Sequence, residues 1–291
     1  MRNALQIGLG LAALLLPQVA HGQNSRRTSG DKLVLTNGVT SVEGSSGGGI
    51  STWSTIAGLE TDHGIGVSGH VSIVELPDFG LESHGISVGI ANRVELSYAR
   101  QNFDTRDVGA GLGLGRGYVL NQDVFGAKVR LIGDAIYGDP LLPQVSAGVQ
   151  YKRSLDRPVA LTVGAADNDG IDLTLSATKL ILARSLLVSV TGRLTEANQT
   201  GLLGFGSAAG KARSLQFEGS LAYQLSHRAV LGAEARTKPD NLGLGEDNWF
   251  DLFAAYAITD NLTVTAAYAD LGTIATFEKQ RGAFLSAQIA F

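Results

Sequence analysis

Ten ionisable side chains stand at alternating positions of otherwise apolar segments, so they would share one interior surface. Basic residues dominate the first two-thirds of the chain, and acidic residues dominate the last third. Two walls of opposite charge would favour polar or zwitterionic solutes, whereas rings of one sign would select ions by charge. Alternatively, the charges pair with one another and close the interior. The predicted pore-lining residues are Arg93, Glu95, Lys128, Arg130, Lys152, Asp172, Arg193, Glu218, Glu234 and Asp251.

Two other arrangements have the spacing of known sites but lack the required context. Residues 44–48 have the G-x-S-x-G spacing of a serine nucleophile, which needs a strand, a turn and a helix around it. No helical pattern follows, so we expect a flexible glycine loop. Asp167, Asp169 and Asp172 could offer oxygen ligands to calcium, but Ile171 occupies a position that must be a ligand. A hairpin turn is the favoured interpretation.

His70 is the one histidine that falls cleanly on the predicted interior face, with Ser68 and Ser72 on the same face. A hydrolase would need a serine and a histidine together, but any polar interior would show the same grouping. A metal site needs several convergent ligands, and the sequence pattern reveals no such group. We therefore predict neither a metal nor a cofactor.

A glycine-rich stretch at 109–117 reads G-A-G-L-G-L-G-R-G. It lacks the G-x-G-x-x-G spacing and no helical pattern follows it, so it does not predict a dinucleotide site. One interpretation is a loop that folds inward and narrows a pore, with Arg116 at the constriction. The favoured interpretation is a mobile outer loop.

These residues would be positioned by a series of short alternating segments. Successive side chains of a strand point to opposite faces, so a period of two gives each face its own environment. The clearest case is 214–225, where large apolar residues alternate with polar ones. About fourteen such segments are predicted, and 33–43 could be another. They are 49–60, 63–75, 82–90, 93–103, 119–133, 141–153, 158–167, 170–180, 184–197, 213–225, 227–237, 248–258, 260–269 and 281–291.

So many short strands fit either a soluble sandwich or a membrane barrel. We predict an all-β fold, a single antiparallel transmembrane barrel, because one long series without a linker fits a closed sheet that leaves no edges. The terminal strand alternates apolar residues and ends in Phe291, which resembles the signal read by the outer-membrane barrel assembly machinery. Aromatic residues near segment ends fit the girdles of such barrels. They are Tyr98, Tyr151, Tyr223, Phe250, Tyr256 and Tyr268.

The loop lengths conflict with a count of fourteen strands. If Phe291 is periplasmic, the long loops after residue 197 fall outside, as the rule for bacterial barrels requires. Further back, the long 104–118 segment falls inside and the tight Ala91–Asn92 turn falls outside. Either a strand is missing near 104–118, or one is wrongly split between 119 and 180. The predicted total is therefore about 12 to 16 strands, with 14 as the best value and an even number expected.

The N-terminus is typical of an exported protein. Residues 1–22 predict a signal peptide, with an apolar core and a cleavage site after Gly22. A short polar segment at 23–32 would precede a barrel at 33–291. The chain has no cysteine, which excludes a disulfide framework, and its net charge of −4 does not suggest a nucleic-acid partner. We expect it in the outer membrane of a Gram-negative bacterium.

Two combinations of sequence segments carry a resemblance to a known family. They are Gly113–Tyr118 with Asn121–Arg130, and Ser176–Leu180 with Leu186–Val188 and Gly201–Gly206. They resemble a proteobacterial family of exported proteins known only as a domain of unknown function. The resemblance extends from about Gly30 to Phe291. It implies an outer-membrane location, and it transfers no activity and no catalytic residue.

Three functions are open at this point. The first is a porin-like channel for small polar solutes, because about fourteen strands enclose more space than their side chains fill. The second is a plugged structural or surface-interaction barrel without transport. The third is an outer-membrane lipid hydrolase. It is the least favoured of the three, and we therefore expect that the protein is not an enzyme. The expected partners are outer-membrane lipids, the barrel assembly machinery and small polar solutes, and the sequence leaves the oligomeric state open.

Overall fold

The computed structural model describes residues 32, 35, 39–60, 62–210 and 213–291. The predicted signal peptide at 1–22 lies outside the described residues, as does all of the predicted polar segment except Lys32. Twelve antiparallel strands, β3 to β14, close into one barrel, and β1 and β2 form a separate pair. The strands are β1 (Val39–Thr40), β2 (Ser46–Gly47), β3 (Ile65–Glu75), β4 (Gly80–Ile90), β5 (Val94–Asp104), β6 (Val119–Ile132), β7 (Gln144–Ser154), β8 (Asp169–Ile181), β9 (Leu186–Thr195), β10 (Ser214–Ser226), β11 (Ala229–Arg236), β12 (Trp249–Ala257), β13 (Leu262–Asp270) and β14 (Arg281–Ala290).

The barrel closes through its first and last strands. β14 pairs with β3 from Ala283 opposite Glu75 to Ala290 opposite Ser68. Every other ladder of the barrel joins strands that are consecutive in the chain. Because the sheet is closed, each strand has two neighbours. The backbone N–H and C=O groups can therefore form hydrogen bonds within the sheet, which lipid could not provide.

The outward face of the barrel is apolar. On β10, Leu215, Phe217 and Leu221 are each more than half exposed, whereas Glu218 and Ser220 between them are buried. A continuous band of exposed apolar side chains is costly in water and favourable in lipid. The six aromatic residues expected in girdles all face outward, with Tyr98 partly buried and the other five exposed. The alternation of apolar and polar residues therefore predicts correctly which face of each strand is exposed and which is interior.

Two of the fourteen predicted strands are wrong, and the observed twelve falls within the predicted range. Segment 158–167 instead contains helix α2 (Arg157–Thr162). Pro158 has no N–H for a ladder and suits the first turn of a helix, which explains the difference. Segment 49–60 is not a barrel strand but lies inside the barrel, because its small polar residues bind the wall on several sides. In 33–43, the described strand is only Val39–Thr40.

With twelve strands, the loop lengths agree with the rule for bacterial barrels. The extra strand predicted at 158–167 assigned every loop before it to the opposite end of the barrel. The end that holds Phe291 has short turns, of which 91–93 is an example, and its longest connection is 133–143. The opposite end carries most of the long connections, including helices α1 (Arg106–Gly111) and α2. No helix in the described part of the chain is long and apolar enough to cross a membrane.

Residues 39–60 occupy the interior of the barrel, and we call this segment the plug. Within it, β1 and β2 pair antiparallel, with Val39 opposite Gly47. Val42 and Ile50 pack in an apolar cluster beneath the long connections at the end opposite Phe291. Trp53 packs in a second apolar cluster with β9 and β12, nearer the end that holds the C-terminus. The plug therefore reaches from one apolar layer of the interior to the other.

Candidate functional site

The plug carboxylate of Glu43 lies at the centre of a buried ionic network. It is 2.5 Å from Lys152 Nζ, 2.9 Å from Arg193 Nη2 and 2.7 Å from Arg236 Nη2. These three cations lie on β7, β9 and β11, and alternation along each strand directs them inward. All four side chains are at most 4% exposed. One residue of the plug thus joins three separate strands of the wall.

Two carboxylates of the wall complete this network. Asp172 on β8 lies 2.8 Å from Lys152 Nζ and 3.1 Å from Arg193 Nη1. Glu218 on β10 lies 2.5 Å from Arg193 Nε and 3.6 Å from Arg236 Nε. With Glu43, three carboxylates face three cations, so the network is formally neutral. Such pairing is what buried charges require in a site away from water.

A second ion pair holds the plug against β5 and β6. Lys128 Nζ lies 3.2 Å from Glu95 and donates to the carbonyls of Ser46 and Trp53, each at 3.1 Å. Glu95 accepts hydrogen bonds from the N–H groups of Ser46 and Ala57. A cavity beside this pair measures about 10 Å³, which is roughly the room for one water molecule. This part of the interior is therefore filled.

Across the interior, Glu234 on β11 binds the other side of the plug. It accepts from the N–H of Ile50 at 3.0 Å and from the hydroxyl of Ser51 at 2.5 Å. A Cβ added to Gly48 would lie 1.6 Å from Glu234 Oε1, so only glycine permits this approach. Asp251 on β12 stands opposite Glu234 in the ladder and is also buried. These two acids form the acidic side of the interior.

Neutral side chains anchor the rest of the plug. The Ser54 carbonyl accepts from the Gln144 amide and the Ser146 hydroxyl, and its N–H donates to Thr178. Further hydrogen bonds to the plug involve Ser68, Ser83, Gln101, Thr191 and Ser220. The plug is consequently bound by polar groups around most of the circumference of the barrel.

Burial and neighbouring charge act in opposite directions on the carboxylates of the N-terminal segment. Burial alone would raise the pKa of Glu43, but Arg193, Arg236 and Lys152 outweigh it and hold this pKa well below its usual range. At the inner end, burial raises the pKa of Glu60 although Lys32 lies 3.1 Å away. Glu43 therefore remains an anion within the buried ionic network.

Eight of the ten predicted pore-lining residues lie inside the barrel and are buried. They are Glu95, Lys128, Lys152, Asp172, Arg193, Glu218, Glu234 and Asp251. Arg130 lies at the mouth of the barrel on the side of Phe291, where it pairs with Asp134 at 3.1 Å. Arg93 differs from the prediction, because β5 begins at Val94 and leaves Arg93 in an exposed turn. The strand pattern was thus followed one residue too far.

Two residues at the ends of the barrel also have defined places. Arg116 is not at a constriction, since its side chain is 80% exposed and pairs with Asp107. The positive φ angles of Gly115 and Gly117 turn this loop back along the surface toward β6. Phe291 exchanges backbone hydrogen bonds with Val67, and its ring is exposed toward the surroundings. Its role as an assembly signal stays a prediction.

His70 contacts Ser83 rather than the serines of its own strand, with 3.3 Å between Nε2 and Oγ. The Ser83 hydroxyl donates to the Val42 carbonyl at 2.7 Å, so its proton is engaged with the plug. Both side chains are buried. Among the described residues, no group of three or more His, Cys, Asp or Glu side chains could hold a metal ion. The contact functions as part of the wall that binds the plug.

Sequence reasoning missed the plug, together with Glu43 and Arg236. One signal could have revealed it. A strand that faces lipid keeps one apolar face, whereas 43–55 carries Gly, Ser, Thr or Glu on both of its alternating faces. That composition predicts a segment surrounded by polar groups on all sides, which is the observed situation.

Residues 36–288 match a family described as a protein of unknown function, DUF3034. The chain belongs to this family. No curated protein matches it by sequence. Among solved structures, a KdgM porin has a TM-score of 0.52 at 12% identity, covering 77% of this chain and 99% of that one. A NanC porin has a TM-score of 0.49 at 11% identity, with 78% and 99% covered. Phospholipase A from the Escherichia coli outer membrane has 0.40 at 8% identity, with 78% and 91% covered.

The KdgM likeness shows a shared fold and nothing about a solute. Together with the apolar outer face and the closed sheet, it identifies this DUF3034 member as an outer-membrane β-barrel of a Gram-negative bacterium. The plug and its ionic network are the features from which a function must be argued.

Proposed function

We propose that this protein is a plugged outer-membrane barrel that is closed to solutes in its resting state. The observation that carries the proposal is the contact of Glu43 with Lys152, Arg193 and Arg236, which lie on three strands. A solute would have to displace these contacts to cross. Removing one partner of a buried ion pair costs about 3–5 kcal/mol. A plugged barrel is therefore favoured over a permanently open pore.

A second candidate is a gated channel for small polar solutes, in which the plug moves. The observation in its favour is the polar nature of the contacts between plug and wall, such as those of Ser54 with Gln144 and Ser146. Water could replace these hydrogen bonds if the plug left, so that movement would have to overcome mainly the ionic network and the apolar contacts of Val42, Ile50 and Trp53. A KdgM porin has been solved in complex with a disordered oligogalacturonate, so a polar solute is reasonable for this fold.

We also propose that the protein is not an enzyme. The His70–Ser83 contact is covered by the plug, and the Ser83 proton is engaged by the Val42 carbonyl.

The proposed partners are outer-membrane lipids and the barrel assembly machinery. The lipids would contact the apolar outer face, and the machinery would bind the terminal strand β14 with Phe291 directly after it.

Electrical recording in a planar bilayer tests these proposals. The intact chain, refolded and inserted, should show no steady conductance, whereas a variant that lacks residues 39–57 should conduct. Strand content measured by circular dichroism and protease resistance would confirm that both are folded and inserted. Steady conductance from the intact chain would contradict the plug.

A reversible cross-link separates the two candidates. The Ser51 and Ser220 hydroxyl oxygens lie 2.5 Å apart, so cysteines at both positions would tie the plug to β10. Brief openings that vanish on oxidation and return on reduction would favour the gated channel. Silence in both states would favour the static plug. A matched pair within the wall, Ser72→Cys with Ser286→Cys, controls for the chemistry of oxidation.

A further inference from the structure

An apolar cavity of about 230 Å³ lies beneath the outer loops, apart from the plug's ionic network. Its floor consists of aromatic and aliphatic side chains that are at most 8% exposed. They are Phe79, Phe103, Leu120, Leu202, Leu203 and Ile274. The rim is formed by residues of four different loops, among them Val108, Val163, Leu244 and Ala275. The cavity is thus concave and lined almost wholly by carbon.

Of the three polar side chains in its lining, Thr276 is exposed, and Thr105 and Gln199 have partners elsewhere. The Thr105 hydroxyl donates to the Tyr118 carbonyl at 2.7 Å. The Gln199 amide oxygen accepts from Lys238 at 3.2 Å, and its amide nitrogen donates to Glu246. An occupant would therefore receive little hydrogen bonding from these two side chains. The lining favours a molecule that needs none, because an unpaired polar group is costly in such a site.

The volume of the cavity limits the size of the molecule that it could bind. A cavity of about 150 Å³ lined by Leu, Ile and Phe stays dry and binds benzene. A volume of 230 Å³ suits a somewhat larger molecule, on the order of six to ten carbon atoms. It is too small for a helix of another protein, whose diameter with side chains is about 10–12 Å.

The rim also exposes apolar surface that an occupant would cover. Leu112, in the loop after α1, is 61% exposed although it lines the cavity. A mostly apolar, concave cavity is typical of small-molecule binding sites. We propose that this cavity binds a small, uncharged apolar molecule, such as a monocyclic aromatic or a short alkyl chain. The inference goes beyond the proposed function, because it concerns a cavity among the loops and not the ionic network of the plug.

A bromine-quenching experiment tests the site in the full-length protein. A Leu112→Trp variant places a fluorophore on the rim, and 1-bromooctane serves as both ligand and quencher. The signal of native Trp53 and Trp249 is removed by subtracting the parent chain. A Leu215→Trp variant on the lipid-facing side of β10 reports simple partition of 1-bromooctane into the detergent. We expect saturable quenching on the rim and a non-saturating rise at the control position.

A filled cavity supplies the matching variant. Val163→Phe adds bulk to the lining, so the concentration of 1-bromooctane for half-maximal quenching should rise about tenfold. Crystals of the unmodified protein soaked with bromobenzene add a measurement that does not depend on this variant. An anomalous bromine peak between Phe103 and Leu203 would support the site. Rim quenching that parallels the control, or a soak with no peak there, would overturn the proposal.

Discussion

Oε2 of Glu43 lies 2.9 Å from Nη2 of Arg193, and this contact joins the plug to the inward face of β9. Arg193 also pairs with Asp172 and Glu218 on the two neighbouring strands. The charge on the plug is therefore shared by a network that the wall cannot complete alone. This relationship makes the plug an integral part of the folded barrel.

Replacing Glu43 by Gln should loosen the plug. The side chain keeps its shape, but three buried cations are left with two carboxylates. We expect a lower urea midpoint for plug release, equivalent to a loss of about 3 kcal/mol. Glu82→Gln, at an exposed carboxylate on β4, is the matched control and should change stability by less than about 0.5 kcal/mol. Equal effects of the two substitutions would contradict the role of Glu43.

Trp53 can report the position of the plug. It is 4% exposed, and its indole N–H donates to the Ser220 hydroxyl at 2.7 Å. The chain has two tryptophans, so Trp249→Phe leaves Trp53 as the sole tryptophan, which can be excited selectively over the tyrosines. We expect strong protection from acrylamide in a bilayer, and increased quenching when Glu43→Gln is added. Quenching as efficient as that of free tryptophan in the otherwise unmodified protein would show that the plug is outside the wall.

Acid should release the plug only at low pH. The pKa of Glu43 lies well below the ordinary 4.5, because its three cations outweigh the effect of burial. A depressed pKa stabilises the folded state above the ordinary value, and this contribution is lost as pH falls through the folded pKa. Protection of Trp53 should thus be constant from about pH 7 to 5 and should decline in stronger acid. In Glu43→Gln, this part of the acid transition should be absent.

The alternation of the barrel strands was readable from the sequence because the two faces meet different environments. On β10, lipid selects Leu215 and Phe217, whereas the interior selects Glu218 and Ser220. Most of the predicted interior charges were placed by this rule alone. Arg93 was misplaced because alternation does not reveal where a strand stops.

The plug was not predicted because its partners are distant in the chain. Glu43 binds residues that are more than 100 positions away, and no local pattern records such contacts. The prediction for segment 158–167 is wrong for a different reason. Short apolar runs fit either a strand or a helix, and Pro158 favours the helix because it suits the first turn and has no N–H for a ladder. Correcting that one segment also restores the expected distribution of loops.

The orientation of the barrel can be tested by labelling, because the chain has no cysteine of its own. Arg116→Cys lies in a long loop at one end, and Arg93→Cys lies in a tight turn at the other. A membrane-impermeant maleimide on intact cells should label the first and spare the second. Both should react after permeabilisation. Labelling of Arg93→Cys alone on intact cells would reverse the proposed orientation.

The location of the plug in native membranes is tested most directly by a disulfide between Ser51→Cys and Ser220→Cys. Their hydroxyl oxygens are 2.5 Å apart, so oxidation of isolated outer membranes should link the pair within one chain. Ser51→Cys combined with Leu221→Cys, whose side chain faces outward, should not link. The Ser72→Cys and Ser286→Cys pair in the wall shows that oxidation is complete. Failure of the Ser51–Ser220 link while the wall pair forms would contradict a plug inside the barrel.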